Sequence, residues 1–335
     1  MRIVLTDPSL PDLRAGNHST VKRWATQLRK LGHKVDVYRV RDPQSGDLPI
    51  GDLLIGLHAG HSHGAIQQWK CRDAKAPVVV ALSGTDLHQE LPAGGNRGRK
   101  VRESLKAAVA VVALHRHAKQ FLPADLVSSL THGIHFIPQS ARALPQKRKP
   151  IESVFRLLVI GYLRAVKDPL LPLKALQHLP RQFSDGQNIE IIHLGAALDA
   201  NWQRRGESAA RSEPRWRWLG AVSRAQVRRY LSSSHLLIHP SLEEGGANVI
   251  SEGLVARIPI LASDAAGNLG LLGNQYPGLF ERGDAMALAG KISRWKSDHR
   301  FRTRLQQHAE RLRCDHTPDA EIAAWSRFMA DMGYK

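Results

Sequence analysis

Cysteine is almost missing from this 335-residue chain. Cys71 and Cys314 are too few for a disulfide framework and lack the Cys-x-x-Cys spacing of a zinc site. No apolar run approaches the ~18 residues a membrane span needs, so no integral membrane segment is expected. The opening Met-Arg-Ile-Val-Leu-Thr-Asp-Pro reads as a buried strand and lacks the longer apolar core and cleavage site of a signal peptide. A reducing cytoplasm is the expected compartment. Aromatic residues make up only 6% and form no RNA-binding signature, and there is no continuous basic helix or zinc-finger spacing. Short internal repeats and low-complexity tracts are also missing.

Positive charge is plentiful. Lysine and arginine total 48 against 30 acidic residues, for a net charge of +18. Such a field attracts polyanions, whether nucleic acid, membrane surface or phosphorylated metabolites. The cations come in short clusters, namely Arg97-Gly98-Arg99-Lys100, Lys147-Arg148-Lys149, Arg204-Arg205 and Arg228-Arg229. That scatter reads as solvated faces, and no nucleic acid is expected as a partner. Hydrophobic residues at 42% and charged residues at 23% fit an ordinary globular protein. The length is about twice a common domain of ~150 residues, so two domains are expected.

One local plan occurs twice. An apolar strand at Ile3 to Thr6 is followed by a loop from Asp7 to Asn17, a helix from about Ser19 to Leu31 capped by Ser19 or Thr20, and a strand at Lys34 to Tyr38. The second copy starts with a strand at Phe155 to Ile160, then Gly161, a helix from about Pro169 to Leu179 and a strand at Ile189 to Leu194. Further strands are readable at Leu53-Leu57, Val78-Leu82, Val109-Leu114, Leu236-His239 and Pro259-Ala262. Alternating strands and helices argue for parallel sheets covered on both faces. The fold expected is α/β, two doubly wound Rossmann-like domains facing one another across a cleft. The linker is read at Ala141 to Glu152, giving domains at 1–145 and 152–316, with 317–335 as a helix returning to the first domain.

The stretch Leu236 to Ala262 carries the most chemistry. A strand ends at His239-Pro240, and Gly245-Gly246 leads into a helix of about ten residues containing Glu252. Small residues such as Gly245, Gly246 and Ala247 allow close backbone approach, and the N–H groups opening the helix at Asn248 and Val249 favour a phosphate. A carboxylate at Glu252 can accept hydrogen bonds from both hydroxyls of a ribose. Surface acids at a helix start are the plainer reading of Glu244 and Glu252, and the surrounding order of strand, Pro-Ser, Glu-Gly, helix and strand weighs against it.

With its two glutamates eight positions apart, this segment resembles the retaining glycosyltransferases of family 4. The resemblance implies a GT-B fold, a first glutamate, Glu244, near the donor sugar, and a second, Glu252, on the nucleotide ribose. It also maps a strand-to-helix loop onto Val159-Ile-Gly-Tyr-Leu-Arg-Ala-Val-Lys-Asp-Pro169. There Lys167 matches the lysine that neutralises the donor diphosphate. Tyr162 replaces the arginine that usually follows Gly161, which makes Arg164 its substitute. Gly220, Val222 and Ser223 match the turn beside the base. No Asp-x-Asp pair is present, consistent with leaving-group stabilisation by cations and a helix dipole without metal or cofactor.

The first half narrows the resemblance. Ala15 to Leu28, Leu57-His-Ala-Gly-His-Ser62, Leu82-Ser-Gly-Thr-Asp-Leu87 and Ile137-Pro-Gln-Ser-Ala141 look like the selenosugar synthases of selenoneine biosynthesis. The resemblance implies UDP-glucose or UDP-N-acetylglucosamine as donor, selenophosphate as acceptor and a carbon–selenium bond as product. An anionic selenium nucleophile needs no positioned general base. Gly16, Asn17 and the helix N-terminus beginning at Ser19 are then expected to form an anion nest, with His18 and His58 as further acceptor-binding residues and Thr85 and Asp86 as candidates for donor-sugar hydroxyls. His58, His61 and His63 show metal-like spacing, but with no acid or cysteine nearby in sequence they are read as hydrogen-bonding groups and no metal is assigned. Trp216 and Trp218 read as a half-buried edge strand. The alternatives that stay open are a conventional carbohydrate or lipid acceptor, a UDP-sugar epimerase and a non-catalytic nucleic-acid-binding protein.

Overall fold

The computed structural model describes residues 1–10, 16–144 and 151–334. Ala15, the central part of the expected linker and its Lys147-Arg148-Lys149 cluster lie outside the described residues. Among the described residues no helix is long and apolar enough to cross a membrane.

The chain divides into two units. The first comprises Met1–Gln139, Glu244–Ala247 and Pro318–Lys335, and the second Ser140–Glu243 and Asn248–Thr317. The first holds a six-stranded parallel sheet of β1 (Arg2–Asp7), β2 (Lys34–Arg39), β3 (Leu53–Leu57), β4 (Val78–Ala81), β5 (Ala110–Ala113) and β6 (Ile134–Phe136), ordered β2-β1-β3-β4-β5-β6. Every residue of β3, β4 and β5 is buried. A parallel strand covered on both faces reads as a continuous apolar run, which is why these segments were legible.

The second unit repeats the plan with β7 (Val154–Ile160), β8 (Asn188–Leu194), β9 (Trp216–Trp218), β10 (Leu236–His239), β11 (Ile260–Ser263) and β12 (Leu279–Phe280), ordered β12-β11-β10-β7-β8-β9. The chain runs outward from β7 to β9 on one side and from β10 to β12 on the other. The winding therefore reverses between β7 and β10. In open parallel sheets that reversal opens a crevice at the carboxyl ends of the strands, where ligands bind. Trp216 and Trp218 form the edge strand that their alternation suggests, with Trp216 buried and Trp218 half-buried.

Three expectations need correction. The first helix spans Gly16–Lys30, so it starts three residues before Ser19 and Gly16, Asn17 and His18 form its opening turn. Thr20 does not cap it: its one hydroxyl proton has the Gly16 carbonyl at 3.1 Å and Gln139 Oε1 at 3.0 Å as alternative acceptors. After β7 the single helix expected from Pro169 to Leu179 is instead a 3₁₀ turn, Ala165–Lys167, then a short α-helix, Leu171–Ala175, and another 3₁₀ turn, Leu176–His178. Pro169 is not helical, and Pro172 sits in the opening turn, where a missing N–H costs nothing.

The last helix, Pro318–Asp331, lies against Gly16–Lys30 in the first unit. Trp325 meets Trp24 edge-to-face at 5.0 Å and joins Leu28, Val21 and Phe328 in one apolar cluster. Beneath it the fully buried Glu321 accepts hydrogen bonds from Arg23, Trp24 Nε1 and Gln27 Nε2. A carboxylate with no water contact is tolerable only with such partners.

Candidate functional site

In the second unit, the groups expected to hold a donor diphosphate lie around the carboxyl end of β7. Lys167, Gly161, Tyr162, His193, His239 and Ser241 line a small cavity at the β7/β10 reversal. Lys167 ends the 3₁₀ turn, and Asp168 follows in the left-handed region at φ 39°. Leu242 N–H donates to the Val166 carbonyl at 2.9 Å, tying the loop after β10 to the loop bearing Lys167. Arg164 is half-buried, and its Nε has no hydrogen-bond partner among the described residues. A guanidinium nitrogen withheld from water without a partner is a donor ready for an anion. Burial raises the Tyr162 phenol above its usual range while the nearby Arg164 pulls it down, so Tyr162 stays a neutral hydroxyl.

His193, at the end of β8, was not singled out from the sequence. Its Nε2 lies 3.0 Å from the Gly161 carbonyl oxygen, which can only accept. The ring therefore donates from Nε2, and burial lowers its pKa to about 4, keeping it neutral. Gly161 N–H in turn donates to Leu194 O, so the glycine peptide is fixed on both sides. His239 Nε2 lies 3.3 Å from Ser241 Oγ, and the Ser263 hydroxyl donates to the Ser241 carbonyl.

Asn248, Val249 and Glu252 belong to the eight-residue helix Asn248–Val255, with Glu252 just beyond its first turn. Gly220 has φ 63°, and its carbonyl accepts from Gly195 N–H, so the turn beyond β9 is fastened to the loop beyond β8. Ser223 caps the helix Arg224–Ser233 in a reciprocal box with Gln226, and Val222 is half-buried beside it. The Ser223 hydroxyl is thus occupied by the helix start.

Glu244, Gly245, Gly246 and Ala247 belong to the first unit. The glycine pair looked suited to close ligand approach, but the structure supplies another cause. A Cβ on Gly245 would overlap the backbone of Ser83 and Gly84. Gly246 O accepts from Gln139 Nε2 at 2.6 Å, and Gln139 Oε1 accepts from Thr20 and Arg23.

The remaining residues of the first unit gather at the carboxyl ends of β1, β3 and β4. His18 Nδ1 lies 2.6 Å from the buried Asp7 Oδ2, a partner that sequence spacing did not suggest. His58 is buried, with φ 65°, and its Nε2 is 3.0 Å from Thr85 Oγ1. Asp86 departs from the role expected of it. Fully buried, its carboxylate accepts from the N–H groups of Ala59, Ser83, Gly84 and Leu87. It shapes the loops after β3 and β4 and leaves Thr85 as the nearer candidate for a substrate hydroxyl. His63 turns away to Ser104 and Glu103, while His58, His61 and Glu90 come together. Glu90 is 29 residues beyond His61 in the chain, so local spacing gave no sign of it.

Two parallel six-stranded sheets, each with candidate residues at the carboxyl ends of its strands, define a nucleotide-type α/β architecture. Residues 140–312 match the family described as glycosyl transferases group 1, and the chain belongs to that family. Among curated proteins it is 22% identical over 282 residues to a glycosyltransferase 1 domain-containing protein 1 of Xenopus tropicalis, covering 79% of each chain. Among solved structures it resembles a sucrose-phosphate synthase from Thermosynechococcus elongatus, with TM-score 0.78, 16% identity and 99% of each chain covered. It also resembles Anabaena HepE in complex with UDP and glucose, with TM-score 0.73, 16% identity, and 98% of this chain and 99% of that one covered. The fold is GT-B.

Proposed function

We propose that the protein transfers a sugar from a UDP-sugar to selenophosphate, forming a carbon–selenium bond and releasing UDP. The anionic selenium attacks the anomeric carbon, the bond from that carbon to the diphosphate oxygen breaks, and UDP leaves with the electron pair. The observation that carries the transferase reading is the cavity at the β7/β10 reversal, lined by Lys167 and Gly161, with the unpartnered Arg164 Nε in the same loop. Two cations there offset charge that grows on the departing diphosphate, which supports a metal-independent donor reaction; retention of configuration rests on the resemblance to family 4, with selenium entering on the face the diphosphate leaves. Binding of UDP and glucose by HepE supports a UDP-sugar donor, with Glu252 on the ribose and the helix opening at Asn248 toward the phosphates.

The acceptor assignment is supported by the first-half motifs that resemble selenosugar synthases, which include His58, Thr85 and Gln139. A preformed anion as nucleophile also removes the need for a general base. The reaction is placed in the cytoplasm, where selenol chemistry stays reduced. The test is incubation with UDP-glucose or UDP-N-acetylglucosamine and selenophosphate, followed by mass spectrometry. A selenium-bearing sugar with stoichiometric UDP is expected. UDP release only when a saccharide or lipid hydroxyl is supplied would replace this reading with a conventional acceptor.

A further inference from the structure

The first unit contains a cluster of which the glycosyltransferase reading uses only His58. The loop after β3 carries His58 and His61, and a π-helical turn, Asp86–Glu90, ends in Glu90. One ligand atom from each of His58, His61 and Glu90 lies within 4.8 Å of the others. We propose that these three residues form a binding site for a divalent first-row transition metal, zinc foremost, with an open coordination position facing solvent.

Several observations converge on it. His58 sits in the left-handed region at φ 65°, an uncommon conformation for a residue with a side chain and one that gathers at functional sites. Its tautomer is set by its neighbours. The His61 backbone N–H can only donate and lies 3.3 Å from His58 Nδ1, so that nitrogen carries a lone pair. The ring proton is then on Nε2, donated to Thr85 Oγ1 at 3.0 Å. A neutral imidazole with one lone pair available and its other nitrogen held by a second residue is the state a metal-binding histidine adopts. The long contact to the His61 amide is the one a metal would displace.

The other two ligands are open to a partner. The His61 ring stacks on His58 with centroids 3.9 Å apart, and its nitrogens make no hydrogen bond among the described residues. Glu90 pairs with no basic side chain among them, despite the +18 net charge. Gly60 makes room for it, since a Cβ there would collide with the carboxylate. Asp86, whose oxygens already accept four backbone N–H groups, stays outside the ligand set.

Two imidazoles and one carboxylate suit zinc, cobalt or nickel better than magnesium or calcium, which favour all-oxygen shells. Zinc bonds of ~2.1 Å put tetrahedral ligand atoms about 3.4 Å apart, so the three must close by about 1.4 Å at most. The exposed His61 and half-buried Glu90 can make that movement by rotamer adjustment. Three protein ligands leave a fourth position for water or an anion.

The test is a titration of untagged, chelator-dialysed protein with Co²⁺, followed by visible absorption, then displacement by Zn²⁺. One Co²⁺ per chain with an intense four- or five-coordinate spectrum is expected. Glu90→Gln and His61→Ala, both on accessible side chains, should each weaken binding by at least ~10–100-fold, the loss typical even of an outer-shell partner. His63→Ala should leave it unchanged, and thermal unfolding would confirm that all three variants fold. Absence of stoichiometric uptake, or equal uptake by wild type and the Glu90 and His61 variants, overturns the site. Neither result depends on which sugar or acceptor the protein uses.

Discussion

The Nε2 of His193 lies 3.0 Å from the carbonyl oxygen of Gly161, so the end of β8 holds the peptide at which β7 gives way to the Lys167 loop. Replacing His193 with Phe keeps the apolar bulk against Trp216 but removes this donor. The Gly161 carbonyl would then lose the donor that fixes it. UDP affinity should fall by about tenfold, the equivalent of one lost hydrogen bond of about 1–1.5 kcal/mol, as calorimetry would read it. Unchanged affinity would limit His193 to packing.

Lys167→Ala and Glu252→Ala should fail differently. Charge on the departing diphosphate grows during the reaction, so losing Lys167 should cost turnover by roughly a hundred-fold or more, about 3–4 kcal/mol, with a smaller change in donor affinity. A ribose does not change charge, so Glu252→Ala should raise KM while kcat is little altered. Steady-state kinetics with varied UDP-sugar separates them. Weaker donor binding alone in both variants would make Lys167 an anchor.

UDP should bind in excess chelator. On the function proposed above, the donor side rests on Lys167, Arg164 and the helix at Asn248 without a metal. Calorimetry with and without EDTA tests it, and loss of binding on chelation would refute it.

Acid should destabilise the fold in a defined window. Burial lowers His115 to about 3 and His193 and His235 to about 4, against 6.5 for an ordinary histidine. Between those limits the unfolded chain binds protons that the folded chain refuses. Stability is therefore unaffected by these groups above pH 6.5 and falls as the pH drops from 6.5 toward 4. His115 contributes most plainly, because neither of its ring nitrogens has a hydrogen-bond partner among the described residues. A His115→Phe variant should show a shallower decline in melting temperature over that range.

Glu321→Ala should be costly although the residue has no proposed part in the reaction. It leaves Arg23, Trp24 Nε1 and Gln27 Nε2 without their common acceptor. Breaking a buried pair on one side typically costs about 3–5 kcal/mol, visible as a lower denaturant midpoint.

The central strands were legible because both faces of a parallel sheet are covered there, which makes segments such as Val78–Ala81 uniformly apolar, whereas the short edge strands β6 and β12 were not read. Helix ends were less so. Gly16 opens the first helix three residues before Ser19, and Thr20 lies inside it with its hydroxyl near the Gly16 carbonyl, so neither candidate cap marks the start. Lys167 and Arg164 were candidates through the resemblance of their loop to family 4, whereas nothing local pointed to His193 or Glu90. Each of those reaches its partners only through sheet register or a turn 29 residues distant, and a linear sequence records neither. Asp86 was found for the wrong reason: a carboxylate at a strand end suggests a ligand, and here it closes four backbone N–H groups.

Trp325 closes over Trp24 from a helix that the ribosome makes some 300 residues later. The first unit therefore has its β1–β6 sheet early but lacks one wall of its core until Pro318–Asp331 emerges. During synthesis Trp24, Leu28 and Val21 stay uncovered while the second unit is being made, a long exposure for an apolar face. A nascent chain stalled before that helix should be a chaperone client and protease-sensitive at Gly16–Lys30, and release of the helix should end both.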